Sequence, residues 1–367
     1  MPDLISGVWA GSDLLMDLDV TNELVAAFRA DQPGGVRGIS CPAMDPSTPL
    51  GRPEGTADGS APLFSVIVPT FNREDHVGRC LASILRQKRS DTEVIVVDNA
   101  STDGTVDTVL RFGDRLDLDV LVNDSNRERS YSRNRGAEHA RGQLLVFLDS
   151  DDELTPGALD RAAAFSEANS DSRFFFQLLR IVDEFGATVH KPLIRFPRRM
   201  CRTLAEGNPL SCSGVYVERP LFLRHKFDEH PDLVGSEDWH CWIRIAAEHE
   251  PALCPGDGAL LVDHGSRTAV SEPWRQAETR FTHLTSDLLA SPSANTYLAP
   301  FLGLFLGSQS HYLAVKAAGQ SAFRPSATHF FQAIRRHPRL LVTRRTLHLW
   351  KLWLRGALGP TRASDPG

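Results

Sequence analysis

Regular patterning of hydrophobic and polar positions begins at Phe64. The apolar run Phe64-Ser65-Val66-Ile67-Val68-Pro69 predicts a strand, and Val77, Cys80, Leu81, Ile84 and Leu85 follow at helical spacing. The unit repeats. Val94-Ile95-Val96-Val97 leads through a turn-rich stretch, 98–104, into a helix carrying Val106, Val109 and Leu110. A third strand from Asp119 to Val122 precedes a helix over Ser132 to Ala140, and a fourth, Leu144 to Leu148, runs into Asp149-Ser150-Asp151-Asp152. Continuous apolar strands alternating with helices predict an α/β fold with a mostly parallel sheet covered on both faces. In such sheets ligands bind outside the carboxyl ends of the strands, where Thr70, Asp98 and Asp149 all fall.

Beyond that point the pattern is more mixed. Thr155-Pro156 reads as a cap and first-turn pair opening a helix to about Ala168, and Phe174 to Val182 as a strand ending in a hairpin turn at Glu184-Phe185-Gly186. Cys212 to Val217 predicts a strand, Glu237 to Glu248 a helix and Leu260 to Asp263 a short last strand; from Pro273 to about Arg355 the periodicity is helical. Residues 1–32 hold one short acidic amphipathic segment, Leu14 to Phe28, and 33–62 are dense in Pro, Gly, Ser and Thr, as linkers are. The expected division is an extension and linker over 1–62, an α/β domain over 63–270 and a basic helical region over 271–367.

Composition narrows the class. With 367 residues, 41% apolar and 23% charged, the chain is long enough for a sizeable core and fits neither global disorder nor a polytopic membrane protein. No apolar run approaches the ~20 residues that cross a bilayer, and Met1-Pro2-Asp3-Leu4 lacks the basic flank of a secretory signal. The expected location is the cytoplasm. Six cysteines, Cys41, Cys80, Cys201, Cys212, Cys241 and Cys254, contain no C-x-x-C pair and predict reduced, mostly buried thiols. The net charge of −6 conceals an asymmetry, because residues 288–364 hold ten Lys/Arg and no Asp/Glu. Within this region Leu347, Trp350 and Leu354 form one stripe of an amphipathic helix, with Val342 and Trp353 adjoining, and Arg344, His348, Lys351 and Arg355 form another. Two readings stay open: peripheral attachment to an anionic membrane surface, or packing of Trp350 and Trp353 on the acidic body. No nucleic-acid partner is expected, since neither an RNA-recognition motif nor a zinc finger is present.

The chemistry concentrates at strand ends. Three carboxylates in Asp149-Ser150-Asp151-Asp152 repel one another unless protons or a cation neutralise them, and oxygen-only ligands favour Mg²⁺ or Mn²⁺. Helix capping by the same aspartates is the plain alternative. The loops Thr70-Phe71-Asn72-Arg73 and Asp98-Asn99-Ala100-Ser101 carry no glycine-rich fingerprint, which disfavours a dinucleotide site or a Walker loop.

Taken together, Ser65 to Arg73, Val96 to Thr105, Ser132-Arg133-Asn134-Arg135-Gly136 and Phe147 to Asp152 resemble the family 2 glycosyltransferases of GT-A fold. Glu237-Asp238 extends the resemblance more weakly toward residue 265. The resemblance implies a metal-dependent, inverting transfer of a sugar from a nucleoside-diphosphate donor, with a UDP-sugar expected, to a hydroxyl on a glycan or lipid-linked saccharide. Carried over by position, it puts the donor against Thr70, Phe71, Asn72, Arg73, Asp98 and Arg133, the ribose on Asp149 beside Ser150, and the metal on Asp151, Asp149 and His264. Asp238 becomes the general base and Glu237 its neighbour in the site. Cys212, Ser213 and Tyr216 are expected near the acceptor pocket. A peptide or small-metabolite acceptor, or a sugar-nucleotide binder without catalysis, remains as an alternative.

Overall fold

The computed structural model describes residues 61–183, 186–190, 200–263 and 272–358. The N-terminal extension with most of its linker, Cys41, the 184–185 turn positions and His264 lie outside these residues.

Three βα units open the fold: β1 (Phe64–Thr70), α1 (Glu74–Leu85), β2 (Thr92–Asp98), α2 (Thr105–Leu110), β3 (Asp117–Val122), α3 (Glu128–His139) and then β4 (Leu144–Phe147). Mixed elements follow: β5 (Glu153–Leu154), α4 (Ala158–Ala168), β6 (Phe174–Asp183), β7 (Thr188–His190), α5 (Met200–Glu206), β8 (Val215–Glu218), α6 (Arg219–His225), α7 (Glu237–Ala246) and β9 (Ala252–Asp263). Helices complete the chain: α8 (Trp274–Ala290), α9 (Pro292–Leu298), α10 (Leu302–Gly319), α11 (Phe323–Arg336) and α12 (Arg344–Leu358).

The sheet runs β3-β2-β1-β4-β8-β6-β9-β5, with β7 pairing β6. The four strands β3, β2, β1 and β4 are parallel, as the continuous apolar runs predict. β8 joins β4 antiparallel and carries the sheet into its mixed half. Strand alternation builds two cores. Ile67, Ile95 and Phe147 point to one face, against Ala137 of α3, Trp242 of α7 and Phe281 and Phe305 of the C-terminal helices. Val66, Val68, Val94, Val96 and Val146 point to the other, against Val77 and Leu81 of α1 and Leu159 of α4. A period-two strand buried on both faces needs this double cover.

Several expectations need correction. Thr155 caps no helix: α4 starts after Gly157, whose φ is 69°, and the Thr155 hydroxyl donates instead to the Asp257 carbonyl of β9. Competing hydrogen-bond geometry decided this position. Cys212 to Gly214 form a 3-10 turn before β8 begins, so the predicted strand is shorter. β9 is longer than the predicted Leu260–Asp263, because its first half pairs β6 through register shifts that interrupt the apolar pattern. Tyr216, expected near the acceptor pocket, lies fully buried in the core, stacked on Phe175 at 5.0 Å. The five described cysteines are buried and form no disulfide with one another.

Candidate active site

The site collects at the carboxyl ends of β1, β2 and β4. Thr70 and Asp98 end adjacent parallel strands in direct register. Both are buried, and both leave a polar atom without a partner: Thr70 Oγ1 and Asp98 Oδ1. The other Asp98 oxygen accepts from the Ser101 N–H at 2.9 Å, while burial pushes the Asp98 carboxyl above its ordinary value. Orphaned buried atoms cost stability, so a pair of them at a strand-end crevice is a place where a ligand or a water can supply the missing partner. Phe71, next to Thr70, is exposed.

Asn72 sits in the loop between β1 and α1. With φ at 51°, it braces the first two loops: its N–H donates to Ser101 Oγ at 2.9 Å and its side-chain oxygen accepts from the Thr102 N–H at 2.9 Å. Arg73 comes within 3.8 Å of Asp151. Ser150 and Asp152 are buried, and Asp152 accepts from Ser213 Oγ at 2.7 Å. Behind this loop the buried Cys80 thiol is raised well above its usual range, first by burial and then by Asp152, Asp151, Asp149 and Glu153. The carboxylates thus concentrate negative charge at the end of β4, which suits a divalent cation held by oxygens. Asp149 and Asp151 would hold it.

Arg133 organises the centre. α3 buries a polar face, with Ser132, Arg133 and Asn134 inward, where a structural helix would bury leucines. Gly136 permits this, since a Cβ there would lie 2.5 Å from Ile67 Cγ2. Arg133 Nη2 donates to Asp149 at 2.5 Å and Nη1 to Glu237 at 3.0 Å, so one guanidinium joins the end of β4 to the start of α7. Asn134 fastens the 227–229 segment, donating to the Phe227 carbonyl and to Glu229 at 2.8 Å each.

The two acids on α7 are driven apart. Burial pushes Glu237 up, but Arg129 and Arg133 more than offset it and hold the carboxyl below its ordinary value; the Gly235 N–H adds a hydrogen bond at 2.6 Å. Asp238 is pushed up to about 7, first by burial and then by the neighbouring Glu237 carboxylate, against Arg133 and the Trp239 N–H that donates to it at 2.7 Å. A carboxyl poised near neutrality beside an ionised one is the division of labour that acid–base chemistry requires. Asp238 also lines a cleft of about 140 Å³ formed with the C-terminal helices.

The expected site residues Thr70, Phe71, Asn72, Arg73, Asp98, Arg133, Asp149, Ser150, Asp151, Glu237 and Asp238 all fall in this strand-end region or on the arginine bridge to α7. Sequence reasoning passed over Arg129, 3.8 Å from Glu237, although its spacing one turn before Arg133 was visible. Elsewhere, two groups bring potential ligand atoms within 4.8 Å of one another: His230, Asp232 and His283, and Asp228, His240 and Asp287. Both differ from the Asp149–Asp151 pair.

A mixed α/β sheet with acidic strand ends, a buried Glu237 and a half-buried Asp238 beside it suits a sugar-nucleotide-dependent transferase. Residues 65–229 match the model of glycosyl transferase family 2. The chain is 30% identical over 187 residues to TuaG of Bacillus subtilis, a glycosyltransferase named for teichuronic acid biosynthesis, covering 50% of this chain and 72% of that one. It is 25% identical over 189 residues, 51% of this chain and 71% of the other, to WfgD of Escherichia coli, named a UDP-Glc:alpha-D-GlcNAc-diphosphoundecaprenol beta-1,3-glucosyltransferase. The fold is that of residues 1–349 of Staphylococcus aureus TarS, crystallised with UDP-GlcNAc, at a TM-score of 0.55 and 19% identity, covering 75% of this chain and 91% of that one. This chain belongs to glycosyltransferase family 2 and is a nucleotide-sugar-dependent glycosyltransferase.

Proposed function

We propose that the protein transfers a sugar from a UDP-sugar, with inversion, to a hydroxyl of a lipid-linked saccharide. The observation that carries this reading is the Arg133 bridge, which binds the acidic end of β4 to the helix bearing Asp238. Thr70 and Asp98 offer their unpartnered oxygens to the base edge, and Phe71 lies beside them as a stacking surface. Asp149 takes the ribose, next to Ser150. Asp151, with Asp149, holds Mg²⁺ or Mn²⁺; when bound, such an ion neutralises charge on the departing diphosphate. Arg73 adds a cation on the same side. His264, which lies outside the described residues, is assigned to the metal from the sequence alone.

Asp238 accepts the proton of the acceptor hydroxyl as its oxygen bonds to the anomeric carbon. The bond from that carbon to the diphosphate oxygen breaks, and UDP departs with the electron pair. A single displacement inverts the anomeric centre. Glu237, kept ionised by Arg129 and Arg133, holds Asp238 in its proton-accepting range. WfgD, whose printed name states a UDP-sugar donor and a diphosphoundecaprenol-linked acceptor, favours the lipid-linked substrate over a peptide or metabolite.

In this reading residues 63–270 form the donor-binding catalytic domain and 271–367 the acceptor side. Peripheral contact with an anionic membrane follows from α12, where Leu347, Trp350 and Leu354 are 60%, 49% and 62% exposed beside Lys351 and Arg355. Trp353 instead packs inward, donating to Ser326 Oγ at 2.9 Å. Among the described residues no helix is long and apolar enough to cross a membrane.

Calorimetric titration with UDP, GDP and dTDP, with and without Mn²⁺, tests the donor site. UDP should bind with metal dependence, and Asp151→Asn should abolish that dependence. Asp98→Ala should weaken UDP by about 10-fold, the loss of roughly one hydrogen bond. A folded protein that binds no nucleotide would overturn the reading.

A further inference from the structure

The cleft beside Asp238 is walled largely by residues beyond the family match, which ends at residue 229. Gly235, Ser236, Asp238 and Trp239 form its catalytic side, and Phe281, Ser308, Gln309, Tyr312 and Arg345 its opposite side, drawn from α8, α10 and α12. We infer that this cleft is the subsite for one pyranose ring of the acceptor, the ring that carries the attacking hydroxyl, and that Gln309 selects it. The inference rests on the glycosyl-transfer reading above and names the acceptor's binding unit.

Size comes first. A cavity of about 150 Å³ accommodates benzene; this cleft measures about 140 Å³, which limits it to one sugar ring seated partly within it and excludes two. Chemistry follows. The lining acids Glu206 and Asp238 are matched by the cations Arg280 and Arg345, so the walls carry no net formal charge and suit a neutral polyol. Trp239, Phe281 and Tyr312 supply aromatic surface for the apolar face of a sugar.

Gln309 provides the independent sign of a ligand. It is 7% exposed on α10; its Oε1 accepts from Thr285 Oγ1 at 2.9 Å, while its Nε2 donates to no protein atom. Arg280, 6% exposed and lining the same cleft, leaves its Nε unpaired although its Nη1 bonds Glu272. Two buried donors without acceptors on one wall are a standing cost in the free protein. A ring hydroxyl that accepts from Gln309 would relieve part of that cost in the cleft that Asp238 also lines.

The test uses the full chain and a panel of methyl glycosides of glucose, galactose, N-acetylglucosamine, mannose and rhamnose, observed by saturation-transfer NMR with and without UDP and Mg²⁺. At least one glycoside should receive saturation from the protein. Gln309→Met should cut its binding at least fivefold while leaving UDP affinity within twofold; it also removes the acceptor of the Thr285 hydroxyl, so its fold is checked by its melting temperature. Gln309→Glu, which retains the acceptor for Thr285, serves as the folding control. If no glycoside binds to folded, UDP-binding protein, or if binding survives both variants unchanged, the assignment is overturned. Binding of octanol or a serine peptide in place of any glycoside would also overturn it. Failure of the parent protein to bind UDP counts against the donor reading alone, since the glycoside signal is read in its own arm.

Discussion

At the scale of single residues, the site turns on how the buried Glu237 and the half-buried Asp238 share one corner. Glu237 faces Arg129 and Arg133 and stays ionised; Asp238 faces Glu237 and Asp149 as well as Arg133 and is raised to about 7. A base must be ionised to work, so kcat should rise with pH and level off above about 7, and Asp238→Asn should lower kcat by about 10²- to 10⁴-fold with UDP affinity retained. Stability moves the other way. A carboxyl raised on folding favours the folded state most fully below its unfolded value near 3.8, and that contribution is lost as pH climbs through about 7. Asp238→Asn should therefore be more stable than the parent by about 1 to 3 kcal/mol at pH 8 and equal to it near pH 4, measured by denaturant unfolding at both. Equal stabilities at pH 8 would deny that Asp238 is strained in its resting state. These roles were half legible in the sequence. Thr70, Asp98 and Asp149 could be placed because strand ends in an α/β sheet are the ligand-binding edge. Gln309 and Arg280 could not, since a buried glutamine on a helix reads as ordinary packing until its neighbours are known.

At the scale of elements, α3 is where packing and chemistry meet. Its apolar signal is poor because the face it buries is built for Asp149, Glu237 and the 227–229 segment, and for that reason the sequence pattern places its start four residues late, at Ser132. Tertiary contacts, which periodicity cannot see, won over local preference. β9 shows the same thing in a strand: its register shifts against β6 hide the first eight residues from an alternation search. The close approach of α3 to the sheet gives a direct test. Alanine at Gly136 would place a Cβ 2.5 Å from Ile67 Cγ2 and 3.2 Å from Val97 Cγ2, on β-branched side chains with little freedom to move. Overpacking of this kind costs about 1 to 3 kcal/mol, and alanine regains up to about 1 kcal/mol over glycine in a helix. Gly136→Ala should lose about 1 to 2 kcal/mol net and also lower kcat, because Arg133 sits one turn away on the displaced helix. A variant with full stability but reduced turnover, or the reverse, would separate the two roles that α3 combines here.

At the scale of the whole molecule, the C-terminal helices are joined to the catalytic sheet by a common core, since Phe281, Leu284, Leu304 and Phe305 belong to the same cluster as Phe147 and Trp242. The charge asymmetry therefore belongs to one body with a basic end. On the last helix the two tryptophans differ: Trp353 is packed beside Phe330 of α11 at 5.5 Å, and Trp350 is half exposed. Val342 and Leu341 add exposed apolar surface just ahead of α12. An acceptor on a lipid carrier would bring its sugar to the cleft lined by Arg345 while its carrier stays in the bilayer, and Arg345 lies only two residues from Leu347. Co-sedimentation with vesicles of phosphatidylglycerol and phosphatidylcholine should retain the full chain, and pure phosphatidylcholine should retain much less. Each basic side chain near an anionic surface contributes about 1 kcal/mol, so Lys351→Gln with Arg355→Gln should weaken binding by about 30-fold. Raising the salt to 1 M, where the Debye length shrinks to about 3 Å, should release most of the protein. Trp350→Gln should weaken binding to both vesicle types without lowering turnover of a water-soluble acceptor, because that side chain is exposed and does not line the cleft. Retention indifferent to lipid charge, salt and these substitutions would assign the exposed face of α12 to something other than a membrane.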